Sequence, residues 1–453
     1  MVVINSNSCQ KAPIVAEAYI ENFSHDGRGI ARINGKTTFI QGALPSEHVS
    51  FRYLRRKRDF DEGLVESVLV ASPSRSIPRC PHYDNCGGCA FQHFNEHEQI
   101  YAKQVFLLEL LARYGHAVPA LVLPPLTQEN WHYRHKARFS VRHLAQKQET
   151  LVGFRERHNP RFIAKITQCP VMHNKIAIMP LRKLIGSFDN PQIIAQIEVA
   201  IGDEDVALIL RNLAELSNND QDKLRKFGKD YNFRIFLQPK GIKSIYLFYP
   251  EDNNEFLTYT LPQENIKFHF HPTDFIQVNI GLNALMVQQA LQLMALTPKD
   301  LVLDLFCGLG NFSLPMAKYC ARLVGIEGNL TMTNRAASNA KANGLTNVEF
   351  HCMDLTKIAI ENMNNNHDLT GQMFSKVLLD PPRTGALEIV KQINKFTNLK
   401  RLVYVSCNPA TLARDCNILV NTHGYNLATV GVMDLFPHTI HVEAIALFTK
   451  NCQ

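Results

Sequence analysis

The chain has 453 residues, too many for one hydrophobic core, and this length predicts about three domains. Hydrophobic residues make up 45% and charged residues 20%, proportions that are ordinary for a globular protein. No apolar run approaches the roughly 20 residues of a membrane span, and no charged-then-apolar leader begins the chain. We therefore expect a cytoplasmic protein that has no membrane partner.

The net charge of +7 is concentrated in one segment. Between Trp131 and Lys165 nine basic residues stand against Glu149 and Glu156, so this window alone carries the whole excess. Basic residues that alternate with aromatic ones suit phosphate neutralisation combined with base stacking, and the segment predicts a nucleic-acid surface. The alternative is an ordinary solvated charged face. The basic residues are Arg134, Lys136, Arg138, Arg142, Lys147, Arg155, Arg157, Arg161 and Lys165, and the aromatic ones are Tyr133, Phe139, Phe154 and Phe162.

Residues 13–72 read as short alternating strands broken by glycine-containing turns, which predicts a small antiparallel, OB-like barrel. The stretch 73–270 mixes strands and helices and predicts an α+β central domain. Within it, Asn95 is placed to cap a helix over 95–115 that Gly115 ends, and this helix is expected to pack on the catalytic domain.

Four cysteines have the arrangement of a metal site. Cys80, Cys86 and Cys89 form a C-x5-C-x2-C pattern in a glycine-rich loop, and Cys169 lies in a distant turn that can supply a fourth thiolate. Four sulfurs suit either an iron-sulfur cluster or structural zinc, and the spacing leaves both open. Unrelated free cysteines are the third alternative.

From residue 271 a helical segment precedes short apolar strands that alternate with helices. Near-continuous apolar strands separated by helices predict an α/β domain over 271–453, with a mostly parallel sheet that is covered on both faces.

The stretch LVLDLFCGLGNFSLPMA, residues 301–317, predicts a strand, a glycine-rich turn and a helix. Ser313 stands where the dinucleotide fingerprint has its third glycine, which disfavours that class of cofactor. The loop instead resembles the S-adenosylmethionine loop of class I methyltransferases. Glu327 then follows where an acidic residue can accept the ribose hydroxyls, and Asp354 is placed to contact adenine. A surface aspartate at a strand end is the alternative for Asp354.

Cys407 follows the predicted strand RLVYVS, on the same sheet edge as Gly308 and Asp380. A pyrimidine C5 is too electron-poor to attack a methyl group, but thiolate addition at C6 makes C5 a nucleophile. A base must then remove the C5 proton, and Glu443 is the candidate. Buried cysteines are more often inert, which is the alternative for Cys407 alone.

Five segments together resemble the RNA uridine-5-methyltransferase family: DFIQVN, LDLFCGLGNF, DPPR, SCNPATLARD and FPHTIHVE. The resemblance implies a Rossmann-like methyltransferase domain that uses S-adenosyl-L-methionine, with Cys407 as nucleophile and Glu443 as base. It further implies cofactor contacts by six residues: Gln277, Phe306, Asn311, Glu327, Asp354 and Asp380.

The N-terminal barrel resembles a TRAM domain, and the four cysteines match the family's [4Fe-4S] ligands. This combination is similar to the branch that acts on 23S ribosomal RNA. The implied substrate is a uridine of the uridine-1939 type in a single-stranded or loop region, methylated by a monomer. Another 23S or transfer-RNA uridine remains an alternative, as does a non-catalytic RNA-binding protein with a relict cofactor fold. Cytosine-5-methyltransferases are disfavoured because no cysteine stands in DPPR.

Overall fold

A computed structural model describes residues 14–24, 26–252, 254–355 and 374–450. The chain divides into two compact units, one formed by residues up to Pro78 with Ala90–Gln99, the other by Arg79–Cys89 with the residues from Ile100 onward. No helix within the described ranges is both long and apolar enough to cross a membrane.

The first unit is built on a six-stranded sheet with the order β1-β5-β6-β4-β3-β2. All neighbours are antiparallel except the parallel pair β4 and β6. The strands are β1 (Val15–Tyr19), β2 (Asn22–Phe23), β3 (Arg28–Ile33), β4 (Lys36–Gln41), β5 (His48–Arg56) and β6 (Phe60–Val70).

This sheet curls on itself. Its two outermost strands, β1 and β2, are separated in the chain by Ile20 and Glu21 alone, which span about 10 Å at most. The Glu21 N–H donates to the Ile30 carbonyl of β3, and the Ile20 N–H donates to the Glu47 carbonyl next to β5. The two residues between β1 and β2 are therefore hydrogen-bonded to both sides of the sheet. The curl encloses a small apolar core that includes Ile40 and Phe51.

Eight α-helices lie in the described residues: α1 (Glu96–Arg113), α2 (Ile178–Gly186), α3 (Asn218–Tyr231), α4 (Ile280–Met294), α5 (Ser313–Ala317), α6 (Leu330–Ala342), α7 (Leu387–Val390) and α8 (Pro409–Asn417). The strands of the second unit are β7 (Leu121–Val122), β8 (Lys136–Leu144), β9 (Glu149–Gly153), β10 (Ile194–Ile201), β11 (Val206–Asn212), β12 (Phe233–Leu237), β13 (Tyr246–Tyr249), β14 (Leu257–Leu261), β15 (Ile266–Phe270), β16 (Leu301–Leu305), β17 (Arg322–Glu327), β18 (Val348–Cys352), β19 (Lys376–Leu379), β20 (Arg401–Ser406), β21 (Asn426–Met433) and β22 (Glu443–Thr449).

A six-stranded mixed sheet, β13-β12-β11-β10-β8-β9, forms the centre of the chain. One of its faces is apolar and packs against α2 and α3, where Phe139 and Val141 of β8 share a core with Leu224 and Phe227 of α3. Because successive strand residues point to opposite faces, the remaining residues of β8 lie on the other side of the sheet. The hairpin β14-β15 follows.

The C-terminal part forms an eight-stranded sheet in the order β18-β17-β16-β19-β20-β22-β21-β7. Strands β18 to β20 are parallel, whereas β22 runs antiparallel to both β20 and β21. Alternate residues of its strands enter two separate apolar cores, one on each face. Leu107 and Leu111 of α1 belong to one core, and Leu282 and Met286 of α4 belong to the other. The α/β class and the doubly covered, mostly parallel sheet are therefore confirmed.

A bare backbone at Gly325 lets β17 approach its neighbours closely. A Cβ there would lie 2.5 Å from the Phe350 ring and 3.0 Å from the Cys307 sulfur. Cys307 belongs to the loop that leaves β16, so the missing side chain allows this loop to settle over the sheet. The carboxyl ends of β16, β17, β19 and β20 then meet at one edge.

Candidate active site

A cavity of about 660 Å³ opens at the carboxyl edge of the eight-stranded sheet. This volume lies within the usual range of small-molecule sites. All eight residues that the sequence predicts for catalysis or cofactor contact line it: Gln277, Phe306, Asn311, Glu327, Asp354, Asp380, Cys407 and Glu443.

The loop after β16 has an unusual backbone. Phe306, Gly308 and Gly310 all have positive φ, at 66°, 56° and 93°. A bulky residue such as Phe306 rarely adopts this conformation, and such outliers cluster at functional sites. The turn directs the Gly308 N–H to the Glu327 carboxylate, which accepts at 3.1 Å. The loop and the acidic end of β17 are thereby joined at the cavity wall.

Ser313 has a structural reason to replace the glycine of the dinucleotide fingerprint. Its hydroxyl donates to Oδ2 of Asp304, a fully buried residue of β16, at 2.5 Å. Burial raises the pKa of Asp304 to about 8, although this hydrogen bond opposes the shift, and the charges of Asp380 and Glu327 add to it. A glycine at this position would leave that carboxyl group with one partner fewer.

Asn311 and Asn283 form a reciprocal amide pair, with Nδ2 of each donating to Oδ1 of the other at 2.8 and 2.9 Å. The Tyr259 hydroxyl also donates to the Asn311 oxygen at 3.0 Å. These contacts fix the amide in one orientation and occupy its oxygen with two donors. Asn311 can therefore contact a ligand only as a donor.

Four carboxyl groups line the cavity together with one guanidinium, that of Arg383. Burial and the nearby charge of Glu327 raise the pKa of Asp380 to about 7. Burial and the charge of Asp380 also raise the pKa of Glu443 well above its usual range, and Arg383 opposes this shift. A ligand with positive charge would relieve this mutual repulsion, so the cavity suits a cationic molecule.

Cys407 lies directly after β20 and is half-buried. Burial raises the pKa of its thiol to about 11, and the charges of Glu443 and Asp380 add to the shift. The guanidinium of Arg383 acts in the opposite direction and favours the thiolate. The reactive form of Cys407 is therefore scarce in the free protein near neutral pH.

The segment between β21 and β22 brings two further groups to the cavity, Glu443 and His441. Nδ1 of His441 lies 3.3 Å from a guanidinium nitrogen of Arg383, and since arginine can only donate, this nitrogen is an acceptor. Burial and the charge of Arg383 also lower the pKa of His441. His438 instead stacks on Trp131 at 4.0 Å between ring centroids. Of these two histidines, only His441 lines the cavity.

The loop that carries Cys80, Cys86 and Cys89 is folded against the 155–157 strand segment. The Gly87 N–H donates to the Arg155 carbonyl at 2.9 Å, and Arg157 donates to the Cys89 carbonyl at 2.6 Å. Burial raises the pKa of the Cys86 thiol to about 11, and charges on Cys169 and Cys80 raise it further. Three of the thiols are thus close enough to interact electrostatically. Among the residues described, no group of three or more His, Cys, Asp or Glu is arranged to hold a metal ion.

The basic segment is less uniform than its charge suggests. Arg138 and Arg142 lie on the exposed face of β8, opposite the apolar core. Arg138 pairs with Glu198 at 2.9 Å but remains 67% exposed. By contrast, the amino group of Lys136 donates to the Asp274 carbonyl, and Arg157 stacks on Tyr83 and donates to backbone carbonyls. The two arginines of β8 are therefore better placed for an external partner.

Residues 95–451 match the family model described as tRNA (Uracil-5-)-methyltransferase. The chain belongs to this family. The family-level resemblance found in the sequence is thereby confirmed, and with it the S-adenosylmethionine-dependent methyltransferase class.

Two curated relatives match almost the whole chain. A protein of Legionella pneumophila (strain Lens) is 58% identical over 436 residues, which are 96% of this chain and 97% of the relative. A protein of Xanthomonas oryzae pv. oryzae (strain MAFF 311018) is 47% identical over 439 residues, 95% of this chain and 96% of the relative. Both bear the name 23S rRNA (uracil(1939)-C(5))-methyltransferase RlmD.

Among solved structures, the Pyrococcus abyssi tRNA (uracil-54, C5)-methyltransferase in complex with S-adenosyl-L-homocysteine is similar in fold. Its TM-score is 0.71 at 20% identity, and the match covers 96% of this chain and 100% of that one. At this level of identity the likeness establishes the Rossmann-like methyltransferase fold of the family.

Several residues of the cavity were not singled out from the sequence, among them Tyr259 and Phe275. Phe275 is 71% exposed and stands two residues before Gln277, inside the motif DFIQVN, so the motif itself was a signal. Tyr259 lies on β14, in a region of mixed pattern that carries no motif. Tyr259 reaches the cavity because the β14-β15 hairpin packs against the eight-stranded sheet, a contact that the sequence does not reveal.

The raised pKa of Cys407 predicts how its reactivity depends on pH. Below about pH 11 its thiolate fraction should rise about tenfold per pH unit, whereas an ordinary thiol levels off above about pH 8.5. Iodoacetamide labelling of the peptide that contains Cys407, followed by mass spectrometry, measures this, with glutathione as the reference thiol. A rate for Cys407 that levels off near pH 8.5 would contradict the assigned environment.

Proposed function

We propose that this protein transfers a methyl group from S-adenosyl-L-methionine to C5 of a uridine in 23S ribosomal RNA, of the uridine-1939 type. The observation that carries the reaction is the convergence of Cys407, Asp380 and Glu443 with the glycine-rich loop in one cavity. The names of relatives 58% and 47% identical over nearly the whole chain support the substrate. A ribosomal RNA substrate also places the enzyme in the cytoplasm, and because all these residues come from one chain, a monomer is sufficient.

The residues of the cavity suit S-adenosyl-L-methionine, which supplies an electrophilic methyl group on a cationic sulfur. Its sulfonium and ammonium charges complement the excess of carboxyl groups in the cavity, where burial and the charge of a neighbouring acid raise the pKa of Asp380 and Glu443. Glu327, fixed by the Gly308 N–H, would accept from the ribose hydroxyls, and Asp354 would contact the adenine. Gln277, Phe306, Asn311 and Asp380 would complete the contacts.

In the reaction, the Cys407 thiolate adds to C6 of the uracil, and the electron pair of the C5–C6 double bond moves toward C5 and O4. C5 then takes the methyl group as its bond to the donor sulfur breaks and the donor leaves as a neutral thioether. Glu443, in its carboxylate form, accepts the C5 proton, so the double bond re-forms and the thiolate leaves. Arg383 favours the charged forms of both Cys407 and Glu443. The base must leave its stack to reach Cys407, so a single-stranded or loop target is favoured.

We propose three functional regions: a TRAM-like barrel over 13–72, a central RNA-binding domain over 73–270 and the methyltransferase domain over 271–453. The curled sheet of β1 to β6 supports the barrel. The two separate sheets after it support the division of the remaining chain, although α1 belongs to the core of the C-terminal sheet.

We further propose that Cys80, Cys86, Cys89 and Cys169 hold a [4Fe-4S] cluster. Cys80, Cys86 and Cys169 interact electrostatically, and Cys89 lies in the same loop as Cys80 and Cys86. A single zinc ion requires all its sulfurs at about 2.3 Å, whereas a four-iron cluster takes one thiolate per iron and holds its ligands farther apart. The four cysteines match the number of irons, and their resemblance to the family's cluster ligands favours the cluster over one zinc ion.

The two catalytic roles can be separated by substitution. Cys407→Ala should abolish methylation and every covalent protein-RNA species, because no adduct at C6 can form. Glu443→Gln should lower turnover by about 10²–10⁴-fold and accumulate an adduct that is already methylated, because only proton removal is lost. Denaturing gels of each variant with substrate RNA and radiolabelled S-adenosylmethionine give the answer. Wild-type turnover by Glu443→Gln would assign the proton to another group, and His441 would be tested first.

The cysteine site predicts a metal content. Protein purified without oxygen should be brown and contain iron and sulfide at about four each per chain, as the cluster formula requires. Cys89→Ser should lower both, whereas Cys352→Ser, at an exposed cysteine outside the set, should leave them unchanged. Stoichiometric zinc without sulfide would overturn the assignment.

The exposed face of β8 should supply affinity for RNA more than choice of sequence. Replacing Arg138 and Arg142 by Ala should weaken binding and reduce the slope of log K against log[salt] by about 2, because fewer counterions are released. Lys226→Ala with Lys229→Ala is the matched control, since α3 covers the opposite face of the same sheet. Equal slopes for the wild type and the β8 variant would place the RNA elsewhere.

A further inference from the structure

The segment from Asp434 to His441 links β21 to β22 and delivers two groups to the active site. His441 lines the cavity, and Glu443 follows as the first residue of β22. Four positions along this segment are held by residues that lie outside the parallel strands of the catalytic sheet. The residues that hold this segment do not belong to the strands that carry Cys407 and the glycine-rich loop.

The first attachment is an ion pair that is almost completely buried. Nζ of Lys103, on α1, lies 2.7 Å from Oδ1 of Asp434, and the two side chains are 3% and 2% exposed. The same amino group donates to the Phe436 carbonyl at 3.1 Å. A buried pair of this kind adds little net stability compared with apolar residues, but its geometry is specific. One lysine therefore fixes the segment at two points.

The second attachment comes from the region of the chain that precedes β8. The buried Tyr133 donates from its hydroxyl to the Pro437 carbonyl at 3.1 Å. The next residue, His438, has a left-handed backbone with φ of 63°, and its ring stacks on Trp131 while Nε2 lies 3.1 Å from the Asn130 carbonyl. The backbone is thus held in an unfavourable conformation at the turn just before the catalytic groups.

We propose that Lys103 and Tyr133 are positioning residues that set the place of Glu443 and His441 through the 434–441 segment. The inference rests on the proposed function, since it concerns the base of that reaction. Neither side chain lines the cavity, so each acts through the segment and not on the substrate.

The geometry identifies which step depends on these attachments. Cys407 stands at the end of β20 and the cofactor loop at the end of β16, and neither is part of the 434–441 segment. Loosening the segment should therefore leave thiolate addition and methyl transfer nearly intact while slowing removal of the C5 proton. A displacement of about 1 Å at a catalytic group costs about 10²-fold in rate. The expected signature is accumulation of the methylated covalent adduct.

The experiment uses the full chain with substrate RNA and radiolabelled S-adenosylmethionine under single-turnover conditions. Two variants are compared: Tyr133→Phe, which loses one hydrogen bond, and the double variant Lys103→Met with Asp434→Leu. The double variant removes both charges, because Lys103→Met alone would leave Asp434 buried without its partner and risk misfolding. In both variants, labelled adduct should form within about twofold of the wild-type rate, and its breakdown should slow about 10–100-fold.

The matched control is a second buried ion pair, Lys376 with Asp300, whose atoms lie 2.8 Å apart at the amino-terminal end of β19. Lys376→Met with Asp300→Leu should break adduct down at the wild-type rate, because this pair does not touch the 434–441 segment. If the Lys103 and Tyr133 variants lose adduct formation and turnover in parallel, or break adduct down at the wild-type rate, positioning is excluded. If Glu443→Gln itself traps no adduct while wild type methylates RNA, the assigned base is wrong and this inference falls with it. If wild type labels no RNA, the proposed function fails.

Discussion

Carboxyl groups held side by side out of water are the constraint on which the site depends. Asp304 and Glu443 are buried and Asp380 is partly exposed, and the charge of a neighbouring acid adds to the raised pKa of each. Carboxylates in water would move apart, but here each is fixed by the strand it ends or begins. The folding energy of an apolar sheet, covered on both faces, therefore maintains an arrangement that is unfavourable until a positively charged molecule binds.

The same constraint explains the state of the free protein. Burial, together with the charges of Glu443 and Asp380, raises the pKa of the Cys407 thiol, so its thiolate is scarce near neutral pH. Arg383 provides the opposing charge, and its contact with His441 fixes its direction.

The antiparallel strand β22 brings Glu443 to the same cavity as the residues at the ends of the parallel strands. Because β22 runs antiparallel to β20, its first residue lies at the same edge as the last residues of the parallel strands. Glu443 therefore enters the cavity from a different direction than Cys407 and is carried by a different connection. That connection is held by α1 and by Tyr133, so the place of the segment before Glu443 depends on parts of the chain far from it in sequence.

The sequence by itself determined the class of the fold and the family, and it indicated which side chains would lie together at one edge of the sheet. Strands such as LVLDLF and RLVYVS are almost continuously apolar because both faces of the sheet are covered. This pattern can be read from the sequence without knowing how the strands pack. Parallel strands also end at a common edge, so residues at their ends could be placed together in advance. Phe306, Glu327, Asp354, Asp380 and Cys407 line one cavity for this reason, whereas Glu443 reaches it at the start of the reversed strand β22.

Other features were decided only by the tertiary structure. The basic segment has a uniform charge in the sequence, but Lys136 and Arg157 turn inward to satisfy backbone carbonyls, whereas Arg138 and Arg142 stay exposed. Tyr259 has no local signal, and His438 and His441 look alike although only one lines the cavity. Periodicity and motifs report what a residue meets within its own element, but the partner of a side chain is chosen by contacts between elements distant in sequence. The pairing of Lys103 with Asp434, separated by 331 residues, is of this second kind.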